Sequence, residues 1–370
     1  MAKVIEATDE LGPIKVIQVS EPRLGLRAAL VIDNVARGPA IGGLRMAPDV
    51  TIDECARLAR AMTLKSSAAG LAHGGGKSVL WGDPRMPMDK KAELIRGFAH
   101  ALRNETDYIF GPDMGTDETC MAWIKDEIGR AAGLPACLGG IPLDELGATG
   151  WGLLHSTLAG AQFLNMTLAG ARVVIQGFGA VGRHTAKFLT ARGARLIAVS
   201  DSHGTIADTD GLDLAALARV KDAGGSVCDY PGGRRFDVNA VIDIECDIWI
   251  PAARPDVIRE ENVHRLRAKL VVQGANIPCT REAERILHGK GILVIPDFVA
   301  NAGGLICAAM EYRGATPTAA FQAIEDKVRA NTEGMLEQAR RSGIAPREAA
   351  MRIALEGVHA AMKTRRFGAM

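Results

Sequence analysis

Between Arg172 and Asp201 the chain reads RVVIQGFGAVGRHTAKFLTARGARLIAVSD, and this order of residue types leaves few choices of fold. A β-prone apolar run meets Gly177, Gly179 and Gly182, a helical stretch follows, and a second apolar run ends in an acid. Strand, glycine turn, helix and strand in that order make one βαβ unit. Gly177 allows the tight turn, Gly179 lets the backbone approach a pyrophosphate, and Gly182 permits the helix to pack closely on the strand. Phe178, Ala180 and Val181 complete the loop, and the helix N-terminus offers unpaired N–H groups to an anion. Asp201, nineteen residues beyond Gly182, stands where a carboxylate accepts hydrogen bonds from the adenosine ribose and repels a 2′-phosphate, which favours NAD over NADP. A lone G-x-G-x-x-G is as often a packing turn. Here the strand, helix and terminal acid at the right distances decide for cofactor binding. One acid is tolerated in either cofactor class, so NADP stays open as the alternative.

Downstream the same alternation continues, with strands expected at 172–176, 196–200, 241–242, 248–250, 270–273 and 293–296, which argues for a parallel doubly wound sheet. Upstream, 15–19 and 27–32 are short β-prone runs, and Gly38 to Met46 reads as a Gly-rich connection of mixed strand and loop. Thr51 opens a helix that carries Lys65, the glycines at 74–76 read as a sharp turn, and 78–81 and 108–110 read as strands. Helices are expected at 89–106, 118–131 and 148–164. The chain of 370 residues is long enough for separate cores. The fold class expected is α/β in two domains with a cleft between them. Residues 1–146 form an α/β substrate and oligomerisation domain, 147–325 a Rossmann-type dinucleotide-binding domain, and 326–370 C-terminal helices that pack back on the first.

A formal net charge of +1 without blocks of like charge gives no reason to expect nucleic acid or an anionic membrane as partner. No apolar run approaches the ~20 residues of a membrane span. Seven cysteines, odd in number and without a C-x-x-C pair, read as small buried hydrophobes in a reduced protein, not as metal ligands. With no basic-then-apolar leader at the N-terminus, a cytoplasmic protein is expected.

Chemistry concentrates in MTLKSSAAGLAHGGGK, residues 62–77, where two lysines stand twelve apart and the second follows three glycines. Lysine is by default a solvated surface residue, and an Asp in Pro-Asp-Met-Gly, as at Asp113, is by default a turn former. The glycine context and the paired spacing argue against that default, most firmly for Lys77 and Asp113. As a base for water, a lysine must drop from a pKa of about 10.4 to roughly 7–8, which burial and a second cation such as Lys65 promote. His73, four residues before Lys77, has no third group to orient it and is read as structural.

Taken together, GPAIGGLRM, MTLKSSAAGLAHGGGKSV, GPDMGTDETCMAWIKDE, ATGWG, QGFGAVG, QGAN and PDFVANAGG resemble the glutamate/leucine/phenylalanine/valine dehydrogenase superfamily over about residues 25–315. The resemblance implies reversible oxidative deamination of an L-amino acid to a 2-oxo acid and ammonia, with hydride passing to a nicotinamide, in a symmetric homo-oligomer. By that likeness Lys65 holds the substrate α-carboxylate, Lys77 activates water, and Asp113 exchanges protons with the amino group. Thr149 matches a position near the nicotinamide amide, and Asn276 and Asn301 match positions near nicotinamide ribose and substrate. Ala252, Ala253 and Gly274 fall with the cofactor, Gly42 and Met62 with the substrate.

Glutamate-specific members carry a lysine immediately before the GG of GGLR and a serine after NAGG, where this chain has Ile41 and Ala308. A substrate carboxylate against those side chains loses its hydration without a partner, at a cost of several kcal/mol. Gly111, Leu305 and Ala308 line the pocket with Ile41 by the same matching, all apolar or small. An apolar amino acid of the leucine, valine or phenylalanine type is therefore expected, although Ile41 and Leu305 are equally compatible with a plain core. MGTDETCMAWIKDE and VSDSHGTIADTDGLD look more like glutamate dehydrogenases, which keeps glutamate as the alternative. A silent nucleotide-binding regulator predicts loss of Lys77 or Asp113, and both are present. A hydroxy-acid dehydrogenase pairs a His with a carboxylate and an Arg, and the paired lysines suit amine chemistry better.

Overall fold

Hydrophobic alternation in the N-terminal third builds a sheet covered on both faces. The computed structural model describes residues 8–365. Two compact units emerge, one comprising the residues up to Pro142, Leu305–Ala320 and the segment from Met351, the other Leu143–Gly304 and Phe321–Ala350. In the first, β1 (Lys15–Glu21), β2 (Leu26–Asn34), β3 (Ala40–Ala47), α1 (Ile52–Ala68), β4 (Gly74–Trp81), α2 (Met88–Ala101), β5 (Tyr108–Pro112) and α3 (Glu118–Ile128) follow in chain order. The strands lie in the order β1-β2-β4-β3-β5. The pairs β1/β2 and β2/β4 are antiparallel, and β3 pairs in parallel with both β4 and β5.

Successive strand residues point to opposite faces. Leu30, Ile32, Leu44, Leu80 and Phe110 meet Phe98 of α2 and Ile124 of α3 on one face. Val31 and Val79 meet Cys55 and Ala59 of α1 on the other. Helix α1 starts at Thr51, whose hydroxyl accepts from the Glu54 N–H at 3.1 Å. Asp53 and Glu54 in its first turn complement the positive end of the helix.

Two expectations are corrected here. Residues 40–47 form strand β3 inside the sheet, not a connection, and Gly74–Gly76 belong to strand β4, not to a turn. The glycines serve close approach. A Cβ on Gly75 would lie 1.9 Å from the Thr63 backbone nitrogen, and one on Gly42 would lie 1.9 Å from the Gly76 carbonyl oxygen. Helix α1 thus touches β4 backbone to backbone. Gly75→Ala is expected to destabilise the protein by about 1–3 kcal/mol or more, as overpacking does. Chemical denaturation checks it, and a midpoint equal to wild type would contradict the packing account.

The second unit contains α4 (Leu143–Leu146), α5 (Ala148–Phe163), β6 (Arg172–Gln176), α6 (Ala180–Thr190), β7 (Arg195–Ser200), β8 (Thr205–Ala207), α7 (Leu214–Asp222), β9 (Arg234–Phe236), β10 (Ile248–Pro251), β11 (Leu270–Val272), α8 (Arg281–Gly289), β12 (Leu293–Ile295) and α9 (Asp297–Ala300). Its strands lie in the order β12-β11-β10-β6-β7-β8-β9. The five from β12 to β7 are parallel. β8 and β9 add antiparallel edges. The chain leaves β6 for β7 on one side and returns to β10 on the other, which makes the C-terminal ends of β6 and β10 the switch point where such sheets bind ligands. Val241 and Ile242, expected as a strand, lie instead in the 3-10 segment Val238–Asp243. Both are buried, and the Trp249 indole donates to the Val241 carbonyl at 3.3 Å. Two apolar residues satisfy a core without specifying how their backbone runs.

Helix α10 (Gly303–Tyr312) precedes the C-terminal helices α11 (Pro317–Ser342) and α12 (Pro346–Thr364). The tail divides differently from the expected boundary at 326, since Phe321–Ala350 fall in the second unit. There Trp151 donates to the Phe321 carbonyl at 3.1 Å, and the Ser156 and Thr332 hydroxyls lie 3.1 Å apart. The segment from Met351 falls in the first unit, where Ser67 donates to the Ala354 carbonyl at 2.7 Å.

Candidate functional site

Lys77 is the fourth residue of β4, so its side chain shares a face with Gly75 and points to the α1 side of the sheet. It is 6% exposed. Its Nζ lies 3.1 Å from Asp113 Oδ2. Asp113 directly follows β5, where its N–H donates to the Thr116 hydroxyl at 3.0 Å and that hydroxyl donates to the Leu44 carbonyl at 2.7 Å. The two catalytic candidates are therefore in contact. Gly43 of β3 forms the floor beneath them, since a Cβ there would lie 2.7 Å from Asp113 Cβ and 3.1 Å from Lys77 Nζ.

Sequence reasoning missed Arg45. Its Nε donates to the same Asp113 oxygen at 2.8 Å, and its Nη1 pairs with Glu54 at the start of α1. The arginine stands inside the GGLRM segment, and strand alternation, had 40–47 been read as a strand, would have placed it on the Gly43 face. Burial pushes the Asp113 carboxyl up, and the charges of Lys77 and Arg45 with their hydrogen bonds outweigh it and hold the group below the usual carboxylate range.

Lys65 is half-buried in the last turn of α1. His73 is buried, with Nδ1 3.1 Å from the Pro39 carbonyl oxygen and Nε2 without a hydrogen-bond partner. Ile41 packs with Ile109 and Ala132, and Met62, Leu305 and Ala308 close over that cluster. Ile41 is only 2% exposed. Gly42 lies against Gly76, whereas a Cβ on Gly111 would have only the Gly42 carbonyl oxygen within reach, at 3.8 Å. In the same unit the buried Glu311 carboxylate accepts from the N–H groups of Gly133, Leu134 and Ile141 at 2.8, 3.0 and 2.8 Å. This ties α10, which carries Leu305 and Ala308, to the loop after α3.

In the second unit each glycine of the fingerprint has its own mechanical task. Gly177 adopts φ +97°, and a Cβ there would meet that of Ala253 at 2.5 Å. Gly182 packs so closely that its Cβ would lie 1.9 Å from the Gly177 carbonyl oxygen. Around Gly179 nothing lies within 4 Å of a Cβ position. Its backbone stands open at the start of α6, where the N–H groups of Ala180, Val181 and Gly182 have no partner within the helix. Phe178 is buried, and Gly274 packs against Pro251 and Ala252. Thr149 lies in the first turn of α5 beside Gly304.

Asn301 donates to Asn276 Oδ1 at 2.9 Å, and its own Oδ1 is buried without a hydrogen-bond partner. Ile277, which follows Asn276, has φ +50° and an exposed side chain, an unusual conformation for a β-branched residue. Asp297 holds it there by accepting the Ile277 N–H at 2.8 Å. Beneath this turn Arg347 donates to Glu284, Gln273 and Asp297 at 2.5–3.0 Å. An open glycine backbone at a helix start, an unpaired amide oxygen and a strained turn at the switch point suit a nicotinamide dinucleotide. Asp201 does not stand free for a ribose: its oxygens accept from four groups of the chain itself. Burial pushes its carboxyl up, and those hydrogen bonds outweigh it and hold the pKa at about 2.

A family model for glutamate/leucine/phenylalanine/valine dehydrogenase matches residues 139–366, and one for the dimerisation domain of Glu/Leu/Phe/Val dehydrogenases matches residues 13–130. The chain belongs to this family. It is an amino-acid dehydrogenase, an oxidoreductase acting on CH–NH2 donors with NAD or NADP. It is similar to the glutamate dehydrogenase of Aeropyrum pernix, 36% identical over 90% of this chain and 85% of that protein. With the NADP-specific glutamate dehydrogenase of Saccharolobus shibatae it shares 39% identity over 75% of this chain and 69% of that one. Among solved structures, the hetero-hexameric glutamate dehydrogenase of Thermus thermophilus in its Leu-bound form superposes with a TM-score of 0.84 at 29% identity, covering 97% of this chain and 94% of that chain.

These relatives overturn the expectation of an apolar substrate for this dehydrogenase, because those 36% and 39% identical over 90% and 75% of the chain are named glutamate dehydrogenases. The physical source of the error is visible. The expectation rests on Ile41 and Ala308 standing where glutamate-specific members carry a lysine and a serine, whereas the Ile41 side chain is sunk in the cluster with Ile109 and Ala132 and Ala308 packs against it. A buried hydrocarbon says little about the polarity of a neighbouring pocket.

Proposed function

We propose that this dehydrogenase catalyses the reversible oxidative deamination of L-glutamate to 2-oxoglutarate and ammonia with NAD or NADP. The observation that carries the reading is the similarity along 90% of the chain to a protein named glutamate dehydrogenase. The Lys77–Asp113 contact at 3.1 Å supports it as chemistry on an amine.

Lys65 holds the substrate α-carboxylate by its charge. Asp113, an anion between Lys77 and Arg45, takes a proton from the substrate ammonium and later returns one to the departing ammonia. Bound at the second unit, the dinucleotide supplies the hydride acceptor. Lys77 then removes a proton from the water that adds to the substrate iminium carbon, and the C–N bond breaks as ammonia leaves. Balanced, glutamate, water and the oxidised dinucleotide give 2-oxoglutarate, ammonium, the reduced dinucleotide and a proton. Thr149, Asn276, Asn301, Ala252, Ala253, Gly274 and the 177–182 loop hold the dinucleotide, and Gly42, Met62, Gly111, Leu305 and Ala308 shape the substrate side.

The dimerisation-domain match supports an oligomer, which we take as a homo-oligomer. All seven cysteines are free thiols, in keeping with a reduced, cytoplasmic setting. Among the described residues no helix is long and apolar enough to cross a membrane. The purified protein, given ammonium, reduced dinucleotide and a panel of 2-oxo acids, is expected to show its highest kcat/KM with 2-oxoglutarate. A branched-chain or aromatic 2-oxo acid that exceeds it would refute the proposal.

A further inference from the structure

One turn of the second unit keeps an aliphatic residue where glycine would sit without strain. Asn276 and Ile277 form an exposed tip between buried Gly274 and buried Pro278. Ile277 has φ +50°, a left-handed conformation in which a β-branched side chain crowds its own backbone. The residue is 60% exposed, so burial within the unit offsets little of that strain.

The conformation is imposed from both sides. The Ile277 N–H donates to Asp297 Oδ2 at 2.8 Å, and its carbonyl accepts from the Asp256 N–H at 2.9 Å. Before the tip, the N–H groups of Gly274 and Ala275 both donate to the Pro251 carbonyl at the end of β10, at 2.9 and 2.8 Å. After it, the Pro278 carbonyl accepts from the N–H groups of Val257 and Ile258 at 2.8 and 3.0 Å. Arg347 in turn holds Asp297 at 2.8 Å. Strain that its surroundings over-determine in this way clusters at ligand sites.

The bonds to Pro251 place the tip at the switch point. A dinucleotide bound across such a sheet lays its adenosine half over the first βαβ unit, here β6 to β7, so its other half falls over β10 and β11. Asn301, whose Nδ2 reaches Asn276 at 2.9 Å, adds an amide oxygen that lacks a donor among the described residues. An aliphatic side chain in solvent beside an acceptor without a partner matches a nicotinamide, which offers an apolar ring face and a carboxamide N–H.

We propose that Ile277 is a nicotinamide contact: its side chain packs against the ring, and the strained backbone is kept because it presents that side chain. The proposal rests on the reading that the second unit binds the dinucleotide at its switch point, and it names a contact which that reading leaves open. A β-branched side chain has few rotamers to lose, so the contact costs little entropy.

Calorimetric titration of the full-length protein without any amino acid tests it, using NADH and NADPH beside ADP-ribose and its 2′-phosphate, which lack the nicotinamide ring. Ile277→Ala and Ile277→Gly are each expected to weaken the reduced dinucleotides about tenfold, the size of one aliphatic burial, and to leave the ringless compounds nearly unchanged. Ile277→Val, which keeps the branched surface, is expected to bind as the wild type does. In chemical denaturation Ile277→Gly is expected to raise the midpoint, because glycine adopts this φ freely. Alanine guards against a loosened turn as the cause, since it removes the side chain without the freedom that glycine adds. Unchanged dinucleotide affinity in the alanine variant, equal weakening of the ringless compounds, or a lowered midpoint for Ile277→Gly would overturn the proposal. So would dissociation of the oligomer by Ile277→Ala in gel filtration, which would make the residue a subunit contact. A wild type that bound neither NADH nor NADPH would instead strike the underlying reading of the second unit, and failure to deaminate glutamate would leave these results standing.

Discussion

Replacing Lys77 with alanine is expected to lower kcat for glutamate deamination by roughly 10²–10⁴-fold, the contribution of a positioned proton-transfer group. The expectation follows from geometry. The amine is buried, stands above a glycine that leaves it room, and touches the carboxylate assigned to the amino group. Its removal leaves Asp113 with Arg45 as sole cationic partner at hydrogen-bond distance among the described residues. Steady-state kinetics separates the roles, because a residue that only binds substrate raises KM and leaves kcat in place. Near-wild-type kcat in a folded Lys77→Ala protein would remove Lys77 from the mechanism.

Arg347→Ala is expected to cost about 3–5 kcal/mol of stability, the usual result of removing one member of a buried ionic cluster. Glu284 and Asp297 are each 10% exposed, and Arg347 is the cation that joins them. Without it two carboxylates stay buried beside each other with Gln273 between. A loss of this size corresponds to a fall in Tm on the order of 10 °C for a unit of this length. Since Asp297 also holds the Ile277 N–H, dinucleotide affinity is expected to fall along with Tm. A shift of no more than about 2 °C, less than 1 kcal/mol in a unit of this length, would mean the cluster is solvated enough to tolerate the loss.

How far the sequence revealed the molecule depended on how local each signal was. The 172–201 segment was legible because every one of its signals acts over a few residues: positive φ at Gly177, close packing at Gly182 and open backbone at Gly179. Glycines 74–76 were misread because glycine serves equally for turning and for close approach, and only Thr63 on another element shows which. Arg45 was missed because its partner Asp113 is 68 residues away. Asp201 was placed correctly at the end of its strand, yet three of its donors come from residues 221–227, beyond the reach of a motif. The substrate expectation failed for a related reason, since Ile41 looks the same in a sequence whether it walls a pocket or fills a core.

The contact of Thr63 on Gly75 sets how helix and strand are spaced by peptide units instead of by hydrocarbon bulk. Lys65 lies two positions past one partner of that contact, and Lys77 two positions past the other. Swapping one aliphatic for another elsewhere in the unit thus leaves this spacing, and the floor on which Lys77 stands, unaltered.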